Sequence, residues 1–437
     1  MSERAAVIGV GRIGAVTAVG LAHLGHEVTG IDRDEGRVAG LSAGQLRERE
    51  PGLRAALQTA LAHRGLTFSR SAARSAFGVA FLCVDTPPLA TGEPDLRQVF
   101  AAAEDAATLL RRGGTLVTRS TVTVGTGDRL VAHLAQIGRS DVAVVHAPEF
   151  LREGTAWEDF REPDRLVFGA DRLEDAAAVA ALFENLDRPV FLTSRRTAEL
   201  AKYAANAFLA MSISFANEMS DLSATVGADE SAMFAILRAD RRIGKHAYLT
   251  PGLGFGGHCL PKDTAALEHL ATMHGRPMPL LHATRQLNAG RIGAAVAWLR
   301  DGLAGLNGKR ICLAGLAFKP GTDDTRESPA LHLARLLALE GVTVTGFDPE
   351  VALDGPFVTS RHSLLEAAEG ADALVIAHAN AAWRELQPDD VAHAMRGRLV
   401  FDAPAILDAP AWRRAGLRLN RPEKGGRRRH PAPAGRR

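Results

Sequence analysis

The sequence predicts an α/β protein built from two doubly wound parallel sheets, with a long helix between them in the chain. Three features carry this prediction. Short apolar, β-branched runs alternate with Ala- and Leu-rich stretches up to about residue 195, a long helical pattern covers residues 199–224, and the alternation returns from residue 309. Apolar runs separated by helices are typical of parallel strands, because helices cover both faces of such a sheet.

The candidate strands can be placed in order along the chain. In the first half they are residues 5–8, 27–31, 79–84, 115–118 and 142–146. In the second half they are residues 310–315, 343–347, 373–377 and 399–401, and helical patterns recur between the two sets through residue 303. We therefore expect domains at residues 1–196, 197–304 and 305–420, followed by a disordered basic tail, rich in Arg, Pro and Gly, at residues 421–437.

The composition is that of an ordinary globular protein. The chain has 437 residues, is 46% hydrophobic and carries a formal net charge of +2, so bulk charge gives no reason to expect nucleic-acid or membrane binding. Three cysteines are too few for a disulfide framework, and Cys83 and Cys312 lie in apolar runs that predict buried thiols. A strand-like segment begins almost at once, and no apolar run approaches the roughly 20 residues that span a bilayer. We expect a cytoplasmic protein without a signal peptide.

A glycine fingerprint follows the first predicted strand. The GxGxxG spacing lies between this strand and a predicted helix, in Gly9, Gly11, Arg12, Ile13 and Gly14. Such glycines allow a tight turn, close approach of a pyrophosphate, and close packing of helix and strand, as in a Rossmann dinucleotide site. Asp32 ends the next predicted strand, where it would accept hydrogen bonds from a ribose 2′-hydroxyl and repel a 2′-phosphate. The expected cofactor is therefore NAD, although the neighbouring Arg33 would suit a 2′-phosphate.

A second glycine-rich segment, GFGGHCLPKD at residues 254–263, contains a cysteine. Glycines let a backbone approach a ligand closely, and a nearby cation favours the reactive thiolate of Cys259. For a bare GGxC, a glycine-rich turn with an incidental thiol is the alternative. A Cys–His protease pair with His258 is disfavoured, because neighbours in an extended segment point to opposite sides. The whole ten-residue string is more specific, and it resembles the catalytic cysteine loop of the UDP-glucose/GDP-mannose dehydrogenase family.

This resemblance extends over nearly the whole chain, up to about residue 410. It is carried by further motifs in the expected order, at residues 50–53, 84–87, 120–122, 148–154, 163–165, 202–206, 215–218, 242–244 and 318–326. In this family the N-terminal domain binds NAD, the C-terminal domain binds the nucleotide of the sugar substrate, and a long central helix bridges them. The resemblance thus implies two Rossmann-like, doubly wound domains joined by a long central helix.

The resemblance also implies site residues. The NAD site would combine the glycine loop and Asp32 with Arg37, Val84, Thr86, Pro87, Ser120, Thr121, Glu153 and Arg326. The nucleotide-sugar site would be formed by Phe150, Leu151, Arg152, Glu153, Lys202, Asn206, Arg242, Tyr248, Gly252, Phe255, Gly256, Cys259, Phe318 and Lys319. The chemistry would be carried out, without a metal, by Cys259, Lys202, Asn206, Asp263, Glu149 and Thr121.

The implied reaction oxidises the sugar 6-hydroxymethyl group to a carboxylate with two NAD. The first hydride transfer needs a base, for which Lys202 and Asp263 are the candidates, acting through a water held by Thr121. Asp263 could also cap the helix that follows the cysteine loop. Cys259 then adds to the aldehyde as a thiolate, and oxidation of the thiohemiacetal leaves a thioester. Glu149 is the expected general base for thioester hydrolysis.

The sequence departs from the family pattern at four positions. Pro404 stands where an arginine often grips the sugar nucleotide, and residues that are frequent in the family are replaced at Ser212, Ala147 and Thr250. The residues of the chemistry are intact, which favours altered specificity over lost catalysis. UDP-glucose is the first expected substrate, with GDP-mannose and UDP-N-acetylhexosamine as alternatives.

Two other classes of function stay open at the level of the sequence. A degenerate paralogue could bind NAD or a nucleotide as a regulatory or scaffold protein without catalysing a reaction. The missing arginine supports this alternative, and the intact Cys259 opposes it. A two-electron 3-hydroxyacid dehydrogenase would share the Rossmann half and a catalytic lysine, but it would not need Cys259.

The central helix predicts a homodimer or a larger assembly. Phe208, Ile213, Phe215 and Met219 spread over more than one face of this helix. A helix that is apolar on several sides needs more than one packing partner. The resemblance implies the same, since family members dimerise through this helix and Arg242 then reaches the substrate of the partner chain.

Overall fold

The computed structural model of the chain describes residues 3–72, 74 and 76–420. The basic tail expected at residues 421–437 lies outside the described residues. The chain divides into two compact units, each containing one β-sheet. Among the described residues, the first unit comprises those up to 208, together with 262–279 and 321–323; the second comprises 209–261, 280–320 and 324–420.

Eight strands form the sheet of the first unit: Arg4–Ile8 (β1), Glu27–Ile31 (β2), Leu66–Ser69 (β3), Phe77–Leu82 (β4), Leu110–Thr118 (β5), Ala143–His146 (β6), Leu166–Gly169 (β7) and Val190–Thr193 (β8). Their order in the sheet is β3-β2-β1-β4-β5-β6-β7-β8, and neighbouring strands are parallel apart from β6 and β7. The strand order reverses between β1 and β4, which is the point where doubly wound sheets bind ligands.

Alternate residues of these strands pack on opposite faces of the sheet. Ala5 and Val7 of β1 belong to one buried cluster, and Ala6 and Ile8 belong to another. Because both faces are buried, these strands appear in the sequence as continuous apolar runs. The first unit contains the helices Arg12–His23 (α1), Glu35–Ser42 (α2), Leu53–Ala62 (α3), Arg97–Leu109 (α4), Thr126–Gln136 (α5), Ala156–Arg161 (α6) and Leu173–Ala180 (α7), and the 3₁₀ turn Ala181–Leu186.

Four helices follow in the chain: Arg195–Val226 (α8), Glu230–Ala239 (α9), Cys259–Met273 (α10) and Pro279–Leu303 (α11). The 32 residues of α8 extend beyond the predicted range 199–224 at both ends. No glycine or proline interrupts α8, and it ends at Gly227, whose φ of +73° is typical of the residue that terminates a helix. The boundary between the two units falls within α8 and within α10.

The sheet of the second unit has six parallel strands: Arg310–Ala314 (β9), Thr343–Phe347 (β10), Thr359–Ser360 (β11), Ala373–Ile376 (β12), Leu399–Asp402 (β13) and Arg418–Leu419 (β14). Their order is β11-β10-β9-β12-β13-β14, with the switch point between β9 and β12. This sheet is also buried on both faces. Its helices are Pro329–Leu339 (α12), Leu364–Ala368 (α13), Pro388–Ala394 (α14) and Ala409–Arg414 (α15), with a 3₁₀ turn at Ala381–Arg384.

The two sheets repeat one hydrogen-bond pattern after their first strands. The N–H of Gly9 donates to the last residue of β2 at 2.8 Å, and the N–H of Gly315 donates to the last residue of β10 at 2.8 Å. Asp32 and Asp348, which follow β2 and β10, accept a hydrogen bond from the residue after that glycine, at 2.9 and 2.8 Å. Both units therefore use the same turn after their first strand, and the two sheet orders confirm the predicted pair of doubly wound domains.

The strands that the sequence analysis missed are short or lie toward the sheet edges. They are β3, β7, β8, β11 and β14, and β11 has only two residues. Cys312 is buried as predicted. Cys83 as a whole residue is only half-buried, but its thiol group is buried, and this burial raises the pKa of the thiol to about 11. Within the described part of the chain, no helix has the length and apolarity that crossing a membrane requires.

Candidate active site

The glycine loop after β1 uses each of its glycines differently. Gly9 has a φ of +83°, a left-handed conformation that turns the chain sharply into α1. A Cβ on Gly14 would lie 1.8 Å from the carbonyl oxygen of Gly9, so only glycine fits where α1 packs against this turn. A Cβ on Gly11 would meet no atom within 4 Å. The N-terminus of α1 thus carries open space at Gly11, which suits an approaching phosphate.

Asp32 borders this loop with acceptor capacity to spare. One carboxylate oxygen accepts from the N–H of Val10 at 2.9 Å, and the other accepts from the N–H of Asp34 at 3.0 Å. An ionised carboxylate has about four lone-pair sites, so it can accept further hydrogen bonds from a ribose. The adjacent arginines are bound elsewhere, since Arg33 pairs with Asp105 at 3.1 Å and Arg37 pairs with Glu48 at 2.8 Å.

Arg12, a predicted cofactor residue, cross-links three segments of the first unit. Its guanidinium lies 3.1 Å from Glu50, 3.3 Å from Asp323 and 4.0 Å from Glu153. Glu50 also accepts backbone hydrogen bonds from Gly154 and from the first residue of α6, at 3.0 and 3.1 Å. The Arg12–Glu50 pair therefore fixes the entry to α6 beside the glycine loop. The sequence analysis noted the motif around Glu50 but gave this residue no role.

The loops at the carboxyl ends of β4 and β5 are joined by hydroxyl groups. Thr86 Oγ1 donates to the carbonyl oxygen of Thr121 at 2.9 Å, and Ser120 Oγ donates to that of Val84 at 2.6 Å. These four residues, with Pro87, were all expected at the cofactor cleft, and the hydroxyl bonds hold their two loops together.

A buried histidine lies beneath these loops. His146, at the end of β6, bonds the hydroxyl of Thr118 at 2.9 Å. Burial, with smaller effects from Arg119 and Lys202, lowers the pKa of His146 to about 3. His146 is therefore neutral at any physiological pH and adds no charge to the site.

Helix α8 presents a row of buried polar side chains to the first unit. Glu199, Lys202 and Asn206 are 0%, 5% and 7% exposed, and their spacing of three and four residues places them on one helix face. Glu199 accepts from the N–H groups of Gly125 and Gly127 at 2.6 and 2.8 Å, so it caps α5. Burial raises the pKa of Glu199, and these two hydrogen bonds oppose the rise. The loop carrying Thr121 leads directly into this cap.

Lys202 is held by Glu149. Its ammonium donates to the carboxylate of Glu149 at 3.0 Å and to the carbonyl oxygen of the same residue at 2.7 Å. The second carboxylate oxygen of Glu149 accepts from the N–H of Leu151 at 2.6 Å. Lys202 also lies 5.4 Å from the ring of Phe150, whose face is covered by Arg165 at 3.9 Å. Predicted residues from the 148–154 motif and from α8 therefore meet in one buried cluster.

Asn206 meets Asp263 in a second buried pair. The side-chain amide of Asn206 donates to one carboxylate oxygen of Asp263 at 2.5 Å, and Lys262 donates to the other at 2.6 Å. Asp263 and Lys262 are both buried in the first turns of α10. Lys262 neutralises this carboxylate, a role that the sequence analysis did not give it.

In the second unit, Cys259 is the first residue of α10 and is exposed. The two glycines ahead of it are packed too closely for any side chain. A Cβ on Gly256 would lie 2.1 Å from the carbonyl oxygen of Glu327, and one on Gly257 would lie 2.6 Å from the ring of Phe318. The thiol thus sits at a helix N-terminus behind a rigid turn, a position that favours a thiolate. Asp263 follows it on α10 by one helical turn.

Three arginines predicted for ligands are paired with nearby carboxylates. Arg152 pairs with Asp159 at 2.5 Å, Arg242 with Asp240 at 2.5 Å, and Arg326 with Asp324 at 2.6 Å. The arginine side chains are 57%, 89% and 51% exposed, so a ligand anion can approach each of them. The Arg242 pair is the one whose aspartate is also partly exposed, and such a pair is weak.

The remaining predicted residues fall in both units. The first unit holds Ile13 and Leu151, and the second holds Tyr248, Gly252, Phe255, Phe318 and Lys319. The ammonium of Lys319 lies 5.7 Å from the ring of Phe318. Pro404 is buried in a turn whose N–H groups at Ile406 and Leu407 donate to Asp402. No group of three or more metal-ligating side chains occurs among the described residues.

Comparisons with known proteins give a consistent result. Residues 3–187, 196–290 and 312–409 match the NAD binding, central and UDP binding domains of the UDP-glucose/GDP-mannose dehydrogenase family. A UDP-glucose 6-dehydrogenase of Rhizobium meliloti (strain 1021) is 38% identical over 438 residues, covering 95% of this chain and 99% of the relative. The structure of a UDP-glucose dehydrogenase from Pyrobaculum islandicum matches with a TM-score of 0.86 and 38% identity, over 94% of this chain and 98% of that one. A UDP-D-ManNAc dehydrogenase from Pyrococcus horikoshii matches with a TM-score of 0.84 and 27% identity, over 95% and 98%.

The glycine loop provides a matched pair of substitutions. Gly14→Ala should destabilise the protein by about 1–3 kcal/mol, because the added methyl group has no room against the turn. Gly11→Ala should change the stability little, since its methyl group meets nothing, but it should weaken dinucleotide binding by occupying the phosphate space. Thermal unfolding and cofactor titration measure the two effects. Equal destabilisation by both substitutions would contradict the separate roles.

Proposed function

Because the chain belongs to the UDP-glucose/GDP-mannose dehydrogenase family, we propose that it is the NAD-dependent enzyme that oxidises UDP-glucose at C6 to UDP-glucuronate. The observation that carries this proposal is the exposed thiol of Cys259 at the head of α10, on the same helix as the buried Asp263–Asn206 pair. A dehydrogenase that oxidises only once has no use for such a nucleophile, whereas an alcohol-to-acid oxidation can use one to convert the aldehyde into an adduct that donates the second hydride.

The cofactor residues fit NAD. Gly11 leaves space at the N-terminus of α1 for the pyrophosphate, and Asp32 has acceptor capacity left for the adenosine ribose. The carboxylate of Asp32 would repel the 2′-phosphate of NADP. Bound NAD supplies the hydride acceptor for both oxidations. Ser120, Thr121 and Val84 would then border the nicotinamide end of the cleft, and Arg37 the adenosine end.

In the first oxidation, the C6 hydroxyl must lose a proton as its hydride leaves. Lys202 donates two hydrogen bonds to Glu149, and a hydrogen-bond donor held in this way suits stabilisation of the alkoxide. Asp263 is an acceptor to both Lys262 and Asn206. We therefore favour Asp263, relayed by a water on Thr121, as the proton acceptor over Lys202.

In the second oxidation, Cys259 adds to the aldehyde carbon, and the resulting thiohemiacetal carries an oxyanion or hydroxyl that Lys202 and Asn206 stabilise. Loss of the second hydride leaves a thioester on Cys259. Glu149 then activates the water that cleaves it. Each carboxylate oxygen of Glu149 accepts one hydrogen bond, so the carboxylate keeps lone pairs that can accept a hydrogen bond from this water.

The choice of sugar nucleotide rests on similarity and motifs. Relatives that act on UDP-glucose share 38% of their residues with this chain, against 27% for the UDP-D-ManNAc enzyme. GDP-mannose and UDP-N-acetylhexosamines are the alternative substrates, and the buried Pro404, which cannot donate to a ligand, is the feature that favours them. A uronate sugar nucleotide suits polysaccharide biosynthesis. We also propose that the enzyme is cytoplasmic, as the sequence analysis expects.

The dimer is proposed from the exposed face of α8. Phe208, Phe215, Leu222 and Val226 are 66%, 45%, 51% and 66% exposed. With Met219 they follow the three- and four-residue spacing of a coiled-coil seam from residue 215 onward, and Phe208 lies one heptad before Phe215. An apolar stripe of this length is best covered by the same stripe of a second chain, as the family resemblance also implies. Arg242 of that chain would then reach the substrate.

The test of the function is the number of NADH formed for each sugar nucleotide. The wild-type protein should release two NADH per UDP-glucose, and should use NAD in preference to NADP. Cys259→Ala should lose the net four-electron oxidation, because no comparable nucleophile remains. Spectrophotometric NADH yield with product mass spectrometry, over a panel of UDP- and GDP-sugars, measures both. Full carboxylate production by Cys259→Ala at the wild-type rate would refute the mechanism.

Glu149→Gln should act only after the second hydride transfer, because only thioester hydrolysis needs a base at that carbon. A sugar adduct on Cys259 should accumulate and be visible by intact mass. Glutamine keeps the shape of the side chain and can still accept from Lys202. If no adduct forms and the first hydride transfer is the slowed step, the role assigned to Glu149 is wrong.

Phe215→Glu should dissociate the dimer, raising its dissociation constant by about a hundredfold or more, because two phenyl contacts are lost across a symmetric seam. The matched control is Leu339→Glu on α12, which is 72% exposed outside the stripe and should leave the assembly unchanged. Light scattering with size-exclusion chromatography gives the masses. A fully active wild-type monomer would overturn the proposed assembly.

A further inference from the structure

The backbone that leads to Cys259 is held by an asparagine from a distant helix. The side-chain amide of Asn288, on α11, accepts a hydrogen bond from the N–H of Phe255 at 2.7 Å and donates one to the carbonyl oxygen of Phe255 at 3.0 Å. A side chain that satisfies both backbone groups of one residue imitates a neighbouring β-strand. It fixes the position of that residue as well as its orientation.

Gly252, three residues earlier, is held in the same way by two side chains. Its N–H donates to Asn217 of α8 at 2.8 Å, and its carbonyl oxygen accepts from Arg291 of α11 at 3.2 Å. Arg291 also forms an ion pair with Asp221 of α8 at 2.5 Å. At both ends of the segment 252–255, side chains therefore bond the backbone N–H and C=O groups. Residue 252 is held by side chains of α8 and α11, and residue 255 is held by a side chain of α11. All these residues belong to the second unit.

The glycine between the two clamps is matched to the asparagine. Gly254 has a φ of +112°, and a Cβ there would lie 2.6 Å from the side-chain oxygen of Asn288. Any side chain at this position would push Asn288 off Phe255. The two clamps and the close contacts of Gly256 and Gly257 therefore fix the loop from Gly252 to Cys259, the first residue of α10.

We propose that Asn288 is a positioning residue for the second oxidation: by clamping Phe255 it sets where the Cys259 thiol stands. This rests on the proposed function. The first hydride transfer does not use the thiol, whereas thiohemiacetal formation requires sulfur and carbon in attack geometry, where an error of about 1 Å can cost about a hundredfold in rate. Loss of the clamp should therefore slow the second oxidation selectively.

The first measurement is independent of activity. In Asn288→Asp, an isosteric change, the donor to the Phe255 carbonyl is lost and two oxygens face each other. Amide hydrogen exchange of the peptide 252–258 in the full chain should accelerate by about tenfold or more, with other peptides unchanged. Asn288→Ala, which removes both bonds without repulsion, should act in the same direction. The matched control is Asn380→Asp, where the side-chain oxygen only caps a 3₁₀ turn at Ala382 and aspartate serves equally well. Unchanged exchange in 252–258, or acceleration spread over the whole chain, would refute the clamp.

The second measurement separates the two hydride transfers by single-turnover NADH kinetics, with an aldehyde-trapping hydrazine present. In Asn288→Asp the ratio of the second rate to the first should fall by about tenfold to a hundredfold, and trapped aldehyde should appear. Asn380→Asp should keep the wild-type ratio. Equal slowing of both phases would show a merely structural role and would overturn the proposal. If wild-type protein forms no NADH from any sugar nucleotide, the proposed function fails, and the exchange experiment still decides whether Asn288 holds the loop.

Discussion

The arrangement of the catalytic groups depends on burying a polar row of α8. A buried ion or amide is costly unless it finds a partner, and removing one member of a buried charge pair costs about 3–5 kcal/mol. Glu199, Lys202 and Asn206 each find their partner on a different segment: the N-terminus of α5, Glu149 after β6, and Asp263 on α10. Because one rigid helix carries all three, satisfying them sets the three segments in a common register. The need to pair each buried polar group thereby fixes the relative positions of these three segments.

The thiol loop is held by a different means. Two of its side chains, those of Leu253 and Phe255, are buried, and its backbone is also bonded by Asn217, Asn288 and Arg291. Glycine costs conformational entropy when it is ordered. The side-chain amides offset this cost by giving the segment hydrogen bonds that regular secondary structure would otherwise supply. A reactive cysteine can then be presented on irregular backbone without becoming mobile.

The charged residues of the protein fall into two groups with different uses. Arg12 and Lys202 are buried with their carboxylates, and such pairs are costly to open, so they hold the site together. Arg242 and Arg326 are exposed and pair with an aspartate two residues away. The aspartate beside Arg242 is itself partly exposed, and exposed pairs of this kind are worth at most about 1 kcal/mol. A phosphate group of a substrate or cofactor can therefore replace that carboxylate at little cost. Arg242 and Arg326 are the arginines that the resemblance assigns to ligands.

Local sequence patterns were enough to predict both doubly wound sheets, the long helix, the GxGxxG turn and the thiol loop. Each of these features depends on residues that are close in the sequence: apolar runs for buried strands, helical spacing for the long helix, and glycines for the two turns. The sequence could also propose Lys202, Asn206, Glu149 and Asp263 through resemblance. It could not identify Glu199 as the cap of α5, Glu50 as the partner of Arg12, Lys262 as the counter-ion of Asp263, or Asn288 as the clamp on Phe255. Those pairs join residues that, apart from Lys262 and Asp263, lie 33 or more positions apart. The hydrogen-bond partner of each buried polar group is decided only when the chain has packed. A buried donor or acceptor bonds to the complementary group that the fold brings within about 3 Å of it, and that group can come from any part of the sequence.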